Sequence, residues 1–289
     1  MSAPRGTEGL QPQEFVLTIF GAHVRRPGQR VWSGGMVEIL EGLDFTSGAA
    51  RAALARLVNR DLLARTRDGR RAFYSVTPRA NALLAEGDDR IFSFGRTEPA
   101  VELWTVVWHA IPEDQRVTRS RLASRLRFLG FGAVQDGTWV AARNREPEVQ
   151  LLLDQLKIKP YASVMVGHMP REVPPLALIA QAWRLEKTRE RYEAFLSEFE
   201  GLRRSSVRNR MSLVEAFRGR TLLLHRFRGF PFIDPELPRD IDCLREVRAR
   251  ALECFDDAYA VLEQRATEYF WQTAIPSYAF SWLGDQAAI

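Results

Sequence analysis

"SGAARAALARLVNRDLLARTRDGRRAFYSVTP", residues 47–78, joins an amphipathic helix to a short basic hairpin. Ala50, Ala53, Leu54, Leu57 and Val58 fall at i, i+3, i+4, i+7 and i+8, which predicts one buried helical face. The opposite face holds Ser47, Gly48, Ala49, Arg51, Ala52, Ala55 and Arg56. Its first turns carry almost no bulk, so its backbone can approach another surface closely. Thr46 and Ser47 are both good N-caps for this helix. Asp68-Gly69, between two short segments of which the second is "AFYSV", predicts a β-hairpin. Thr77-Pro78 then opens a further helix with Pro at its first position.

Upstream, "QEFVLTIFGAHV" (13–24) shows a helical stripe of Phe15, Val16, Ile19 and Phe20. "SGGMVEILEGL" (33–43) follows with Met36, Val37, Ile39 and Leu40 on its apolar side, and only "LDF" separates it from Thr46. The predicted order is helix, helix, short turn, helix, basic hairpin, helix. That is the order of a winged helix-turn-helix, whose third helix enters the major groove and whose hairpin touches phosphate or minor groove. The charge agrees with this. Residues 45–80 hold eight arginines against two aspartates, a net +6, while the whole chain is +5. The positive field is therefore local, as an anionic polymer requires. Of 41 basic residues 38 are Arg, and a GC-rich genome accounts for much of that bias, but not for its concentration here. Two rival readings share these features. An amphipathic helix often only packs, and a basic hairpin also suits acidic protein or RNA. Double-stranded RNA fits less well, because its deep, narrow major groove excludes a helix.

At 289 residues the chain is long enough for two or three domains, each with its own core. Its apolar and charged fractions, 46% and 27%, are those of a globular protein and exclude collagen-like and disordered classes. No apolar run approaches the length of a membrane span, and "MSAPRGTEGLQPQE" has no signal-peptide core, so a cytoplasmic location without membrane partners is expected. Cys243 and Cys254 have no neighbours spaced for zinc and are expected to be buried thiols. His23, His109, His168 and His225 are scattered, and neither metal nor cofactor is expected.

Beyond residue 80 the pattern changes. "GDDRIFSFGRTEP" (87–99) loses periodicity and reads as a linker. "ELWTVVWHAIP" (102–112) predicts a buried strand, "RVTRSRLASRLRFLGFG" a basic helix, "GAVQDGTWVAA" a second hairpin, "EPEVQLLLDQL" a helix and "YASVMVGHM" a last strand. The order β-α-β-β-α-β is that of a ferredoxin-like sandwich. Long amphipathic helices fill the chain from 174 on, with "RTLLLHRFRGFPFIDPELP" between them. The expected fold class is thus α+β. A winged-helix DNA-binding domain spans 1–88, a central ferredoxin-like domain 100–170, and a helical effector or dimerisation domain 171–289. The arginines at 116, 119, 121, 125 and 127 read either as a solvated helix face or as a surface for phosphate.

In "SGAARAALARLVNRDLLARTRDGRRAFYSVTP", in "WTVVWHAIPEDQRVTRSRLASRLRFLGFGAVQDGTWVA" and in "LLHRFRGFPFIDPELP" the chain resembles the PaaX family, bacterial repressors of phenylacetate degradation. The resemblance runs over nearly the whole length with the parts in the same order. It implies the same three domains, dimers on palindromic operator DNA, and release by an aryl-acyl-CoA effector. Two departures stand out. Glu246 and Arg248 occupy positions where the family pattern places Trp and Gly, which puts the identity of the effector in doubt. The central domain also resembles small CRISPR-associated ferredoxin-like nucleases, yet Trp108 is followed by His109 and Ala110 where those proteins carry a metal-binding Asp. Only Glu113 and Asp114 lie nearby, so a two-metal nuclease is disfavoured.

The DNA-facing residues expected on this reading are Thr46, Ser47, Ala49, Arg51 and Arg56 at the helix, with Arg60, Arg65, Arg67, Arg70 and Arg71 on phosphates. Arg119, His225, Arg226 and Arg228 are the expected contacts of the effector's thioester or phosphates; the last three read equally as a polar cluster holding "FIDPELP". The alternatives are a metal-dependent nucleic-acid enzyme built on the central domain, and a regulator with a ligand other than a CoA thioester.

Overall fold

The computed structural model describes residues 11–24, 26, 28–96, 103–168, 176–208 and 210–276. Positions 97–99 of the expected linker, Met169, the helix start at 174–175 and both expected domain boundaries near 100 and 170 lie outside them. The N-terminal part contains α1 (Pro12–His23), β1 (Val31–Trp32), α2 (Ser33–Glu41), α3 (Ser47–Asn59), β2 (Leu63–Asp68), β3 (Arg71–Val76) and α4 (Pro78–Ser93). The centre contains β4 (Trp104–His109), α5 (Arg116–Phe128), β5 (Gly132–Gln135), β6 (Thr138–Ala141), α6 (Glu146–Leu156) and β7 (Ala162–Gly167). The remainder is helical: α7 (Leu176–Trp183), α8 (Leu185–Phe199), α9 (Ser205–Arg208), α10 (Leu213–Phe227), α11 (Arg245–Val261) and α12 (Glu263–Ala274). The fold is α+β, with two small antiparallel sheets ordered β1-β3-β2 and β5-β6-β4-β7. No helix among the described residues is long and apolar enough to cross a membrane.

These elements form two compact units. The first comprises Met1–Arg90, Ser197–Phe227 and Glu253–Ile289, the second Ile91–Leu196 and Arg228–Leu252. The C-terminal helices are divided between the two units.

In the first unit, α3 packs on both α1 and α2, while α10 packs on α1 and α12 on α2. Phe15, Val16, Ile19 and Phe20 of α1 are fully buried, as are Ala50, Ala53, Leu54 and Leu57 of α3. The apolar stripes read from the sequence are these core faces; Val58 alone is only half-buried. Gly35 fixes how closely α2 meets α12. A Cβ there would stand 2.0 Å from the carbonyl oxygen of Thr273, so no larger residue fits without moving backbone.

Two histidines seal α1 against the C-terminal helices. His225 on α10 stacks on Phe15 at 3.9 Å, and its Nδ1 lies 3.1 Å from Thr18 Oγ1. His23 stacks on Phe270 at 4.7 Å, and its buried Nδ1 has no hydrogen-bond partner among the described residues. Burial, helped by the Arg220 charge, pushes its pKa down to about 3. The unfolded chain therefore binds a proton below pH 6.5 that the folded protein refuses. Stability is full above pH 6.5 and is lost as pH falls, by at most about 1.4 kcal/mol per pH unit from this group. His23→Phe keeps the ring stacking and removes the titration. Its urea midpoint is expected to change less between pH 7 and pH 5 than that of the wild type; an identical change would remove His23 as the cause.

In the second unit, α5 and α6 cover one face of the four-stranded sheet. Val107, Leu122, Leu126, Phe131, Trp139, Val149 and Leu153 form its core. α7 packs on β5, where the Trp183 ring lies against Gly132 and its Nε1 donates to the Gly130 carbonyl at 3.1 Å. The expected linker begins later than its composition implied. α4 continues through Gly87 to Ser93, because Phe94 just beyond is fully buried and outweighs the roughly 1 kcal/mol that a helical glycine costs.

The same unit encloses a network of buried charges. Arg248 donates to Asp234 at 2.9 Å and to Asp242, and the side chains of all three are at most 7% exposed. Tyr192 donates to Asp234 at 2.6 Å. Glu236 accepts from Arg143 and from the Gly95 backbone, each at 2.8 Å. Burial and the Asp234 carboxylate together push the Tyr192 phenol well above its usual range. Cys254 is buried and its thiol pushed up to about 11, whereas Cys243 lies outside the helix and is exposed, contrary to expectation.

Candidate nucleic-acid interface

Thr46 fixes the start of α3. Its backbone is extended and its Oγ1 accepts from the Ala49 backbone N–H at 3.2 Å, satisfying one of the orphan donors of the first turn. Opposite the buried stripe, Thr46, Gly48, Arg51, Ala52, Ala55, Arg56, Asn59 and Arg60 are exposed, with Ser47 and Ala49 half-buried. A Cβ on Gly48 would meet nothing within 4 Å, so no internal packing calls for glycine there. Arg51 has no side-chain partner among the described residues. Arg56 leans on α1 and donates to Gln13 Oε1 at 3.0 Å.

Behind α3 the chain reverses at Asp61, whose left-handed backbone (φ 55°) feeds directly into β2. Thr77 closes the hairpin's base. Its hydroxyl donates to the Asp61 carbonyl at 2.9 Å and accepts from Ala80 N–H at 3.1 Å, capping α4. β2 and β3 pair from Leu63↔Val76 to Asp68↔Arg71, leaving Gly69 and Arg70 as the two turn residues. Gly69 has φ +57° and Arg70 is not left-handed, which places the glycine first, as in a type II′ turn. Asp-Gly correctly located the hairpin, but Asp68 belongs to the strand.

This register sorts the arginines. Arg65 and Arg67 share one face of the hairpin, Arg70 caps its tip, and all three are exposed with no side-chain partner among the described residues. Arg71 is half-buried on the other face, 5.9 Å over the Trp32 ring. On that face Arg30 also lies 4.6 Å over Phe73 and donates to Asp68 at 2.9 Å. β1, which carries Trp32 and follows Arg30, was not legible in the sequence. Two residues are too few to show a period, and the strand exists only through its pairing with β3.

The four expected effector contacts fall in both units. Arg119 and Arg228 belong to the second unit, His225 and Arg226 to the first. Arg119 forks onto both oxygens of Asp136 at 3.2 and 3.3 Å. His225 serves the α1–α10 packing described above, and Arg226 faces Glu198 at 3.6 Å. At the end of β4, burial and the Arg119 charge lower the pKa of His109. Asp136, held by Arg119, is the acidic group that acts on it. Among the described residues no group of three His, Cys, Asp or Glu side chains is placed to hold a metal ion.

Three family models match the chain in succession: PaaX-like protein over residues 11–80, PaaX protein central Cas2-like domain over 97–179, and PaaX-like protein C-terminal domain over 183–272. The transcriptional repressor PaaX of Escherichia coli K12 is 25% identical over 234 residues, which cover 78% of this chain and 72% of that protein. Among solved structures, an uncharacterized protein of Mycobacterium tuberculosis matches with a TM-score of 0.54 at 17% identity, over 88% of this chain and 96% of that one. The last comparison is a likeness of fold.

Proposed function

The chain belongs to the PaaX family, and from that premise we propose that it is a DNA-binding transcriptional repressor of phenylacetate or related aromatic catabolism. One observation supports this most directly. Arg51, Arg65, Arg67 and Arg70 stand exposed on the helix and hairpin with no intramolecular partner among the described residues. Such cations are available to phosphate at no cost in broken ion pairs. In this reading the N-terminal elements are a winged helix-turn-helix: α3 enters the major groove by its low, small-residue face and β2–β3 is the wing. Thr46, Ser47, Ala49, Arg51 and Arg56 lie at the groove, and Arg60, Arg65, Arg67, Arg70 and Arg71 on the backbone. The sheet order β5-β6-β4-β7, with α5 following β4 and α6 following β6 along the chain, supports a ferredoxin-like central domain. The three matched segments support three domains.

The functional species is a cytoplasmic homodimer, whose two α3 helices read half-sites about 34 Å apart, one helical turn. A small-molecule effector of aryl-acyl-CoA type releases it by favouring a conformer that binds DNA poorly. Neither catalysis nor a cofactor enters this function. DNase I footprinting on the intergenic DNA beside the gene tests the reading. The expected result is a two-half-site protection, removed by an aryl-CoA and unaccompanied by cleavage when magnesium or manganese is added. Metal-dependent cutting of the probe, or protection indistinguishable from that of random DNA, would sink it.

A further inference from the structure

The second unit carries a basic surface that the wing does not account for. α5 bears five arginines, at 116, 119, 121, 125 and 127, and no carboxylate within the helix. Three are engaged: Arg119 with Asp136, Arg125 over Phe128 at 5.3 Å, and Arg127 over Trp139 at 5.1 Å. Arg116 and Arg121 are exposed and have no partner among the described residues. Between the arginines the exposed face shows Ser120, Ser124 and Val117. Apart from Asp136, the neighbouring acids are engaged elsewhere. On α6, which packs against α5, Glu148 is held by Arg145 and Asp154 by Lys159, both at under 3 Å. Glu113 and Asp114 sit in the turn before α5, where they oppose the partial positive charge of its N-terminus.

Like charges along one helix destabilise it by a few tenths of a kcal/mol per pair, so a row that keeps Arg116 and Arg121 exposed and without a partner among the described residues points to a polyanion. The shape indicates which kind. Small-molecule sites are concave and largely apolar, whereas this is the convex outside of a helix. From Arg116 to Arg127 the cations extend over about 17 Å, a length that matches several successive phosphates of one DNA strand. Serine hydroxyls interspersed with arginine are the usual phosphate-contacting set. We propose that α5 is a second DNA-backbone surface, which engages phosphates outside the half-sites held by α3 and the wing. The proposal rests on the DNA-binding reading above.

The test compares full-length protein on a duplex trimmed to the two half-sites with the same duplex extended by about two helical turns at each end. Wild type is expected to bind the extended duplex more tightly. Arg116→Gln with Arg121→Gln should bind the trimmed duplex like wild type. On the extended one it should lose about tenfold to thirtyfold in affinity at 0.15 M salt, with a slope of log K against log salt shallower by about 1.8. Arg116→Lys with Arg121→Lys should retain the gain, since phosphates read charge. Equal binding of the extended duplex by the Gln variant and wild type would overturn the proposal, as would a loss confined to phosphatidylglycerol vesicles. The wing variant Arg65→Ala, Arg67→Ala, Arg70→Ala separates the two readings. If it binds the trimmed duplex normally, the winged-helix assignment fails; if it alone is impaired, only the role of α5 fails.

Discussion

Replacing Arg65, Arg67 and Arg70 together by alanine is expected to weaken operator binding about a hundredfold at 0.15 M salt. The slope of log K against log salt should flatten by about 2.7, because three phosphate contacts each release about 0.9 counterion. These three are the hairpin arginines whose side chains have no partner among the described residues. Nothing inside the protein is broken by removing them, and the fold should change by under about 0.5 kcal/mol, as exposed sites do. Base discrimination should survive, since arginines on phosphate position a protein without reading sequence. The measurement is fluorescence anisotropy across a salt series, on the footprinted operator and on random duplex. Both should weaken in parallel. Unaltered slopes would mean that the hairpin does not touch DNA. Arg71→Ala should behave differently, because Arg71 covers Trp32 and its removal costs packing as well as charge.

Arg248→Met has the largest expected effect on stability, a loss of about 3 to 5 kcal/mol. That is a large part of the 5 to 15 kcal/mol that holds an ordinary protein folded. Arg248 is the cation shared by Asp234 and Asp242, whose side chains are 0% and 4% exposed. Methionine fills the volume but leaves two buried carboxylates unneutralised. Burial already raises the pKa of Asp242 despite Arg248, and without the arginine it should rise further. A group whose folded pKa lies above its unfolded value contributes stability at low pH and loses it as pH rises through the folded pKa. The deficit of Arg248→Met should accordingly be smaller at pH 5 than at pH 8. Arg248→Met with Asp234→Asn keeps the oxygen that accepts from Glu236 N–H and removes one orphan charge. Urea denaturation should find the double variant more stable than the single one at pH 8. If the double is no better, burial of charge is not what makes Arg248 indispensable.

Much of the first unit was legible because its signals are local. The periods of α1, α2 and α3 named the buried faces, and Asp68-Gly69 located the hairpin. Composition misled over 87–99, where a glycine and mixed charges read as linker while a buried phenylalanine carries α4 on to Ser93. The long C-terminal stretch read as two helices is broken at Arg184, whose backbone is left-handed (φ 50°), and again at Leu262 between α11 and α12. The ion network was out of reach. "FIDPELP" drew notice as a motif and Arg248 as a departure from a pattern, but nothing local joins Arg248 to Asp234, or Glu236 to Arg143 across 93 residues.

By itself, then, the sequence determined the order of elements, their buried faces and the concentration of positive charge between residues 45 and 80. Periodicity, capping and turn chemistry are properties of neighbours along the chain. Only the tertiary structure decided which of those charges are available. Asp68, counted as a neutralising residue within the hairpin, is turned to Arg30 from 38 residues away, while Arg65, Arg67 and Arg70 have no partner among the described residues. Whether an arginine is free depends on what long-range packing brings within about 4 Å of it, and at that range the Coulomb energy is set by distance and burial, which a linear sequence does not contain.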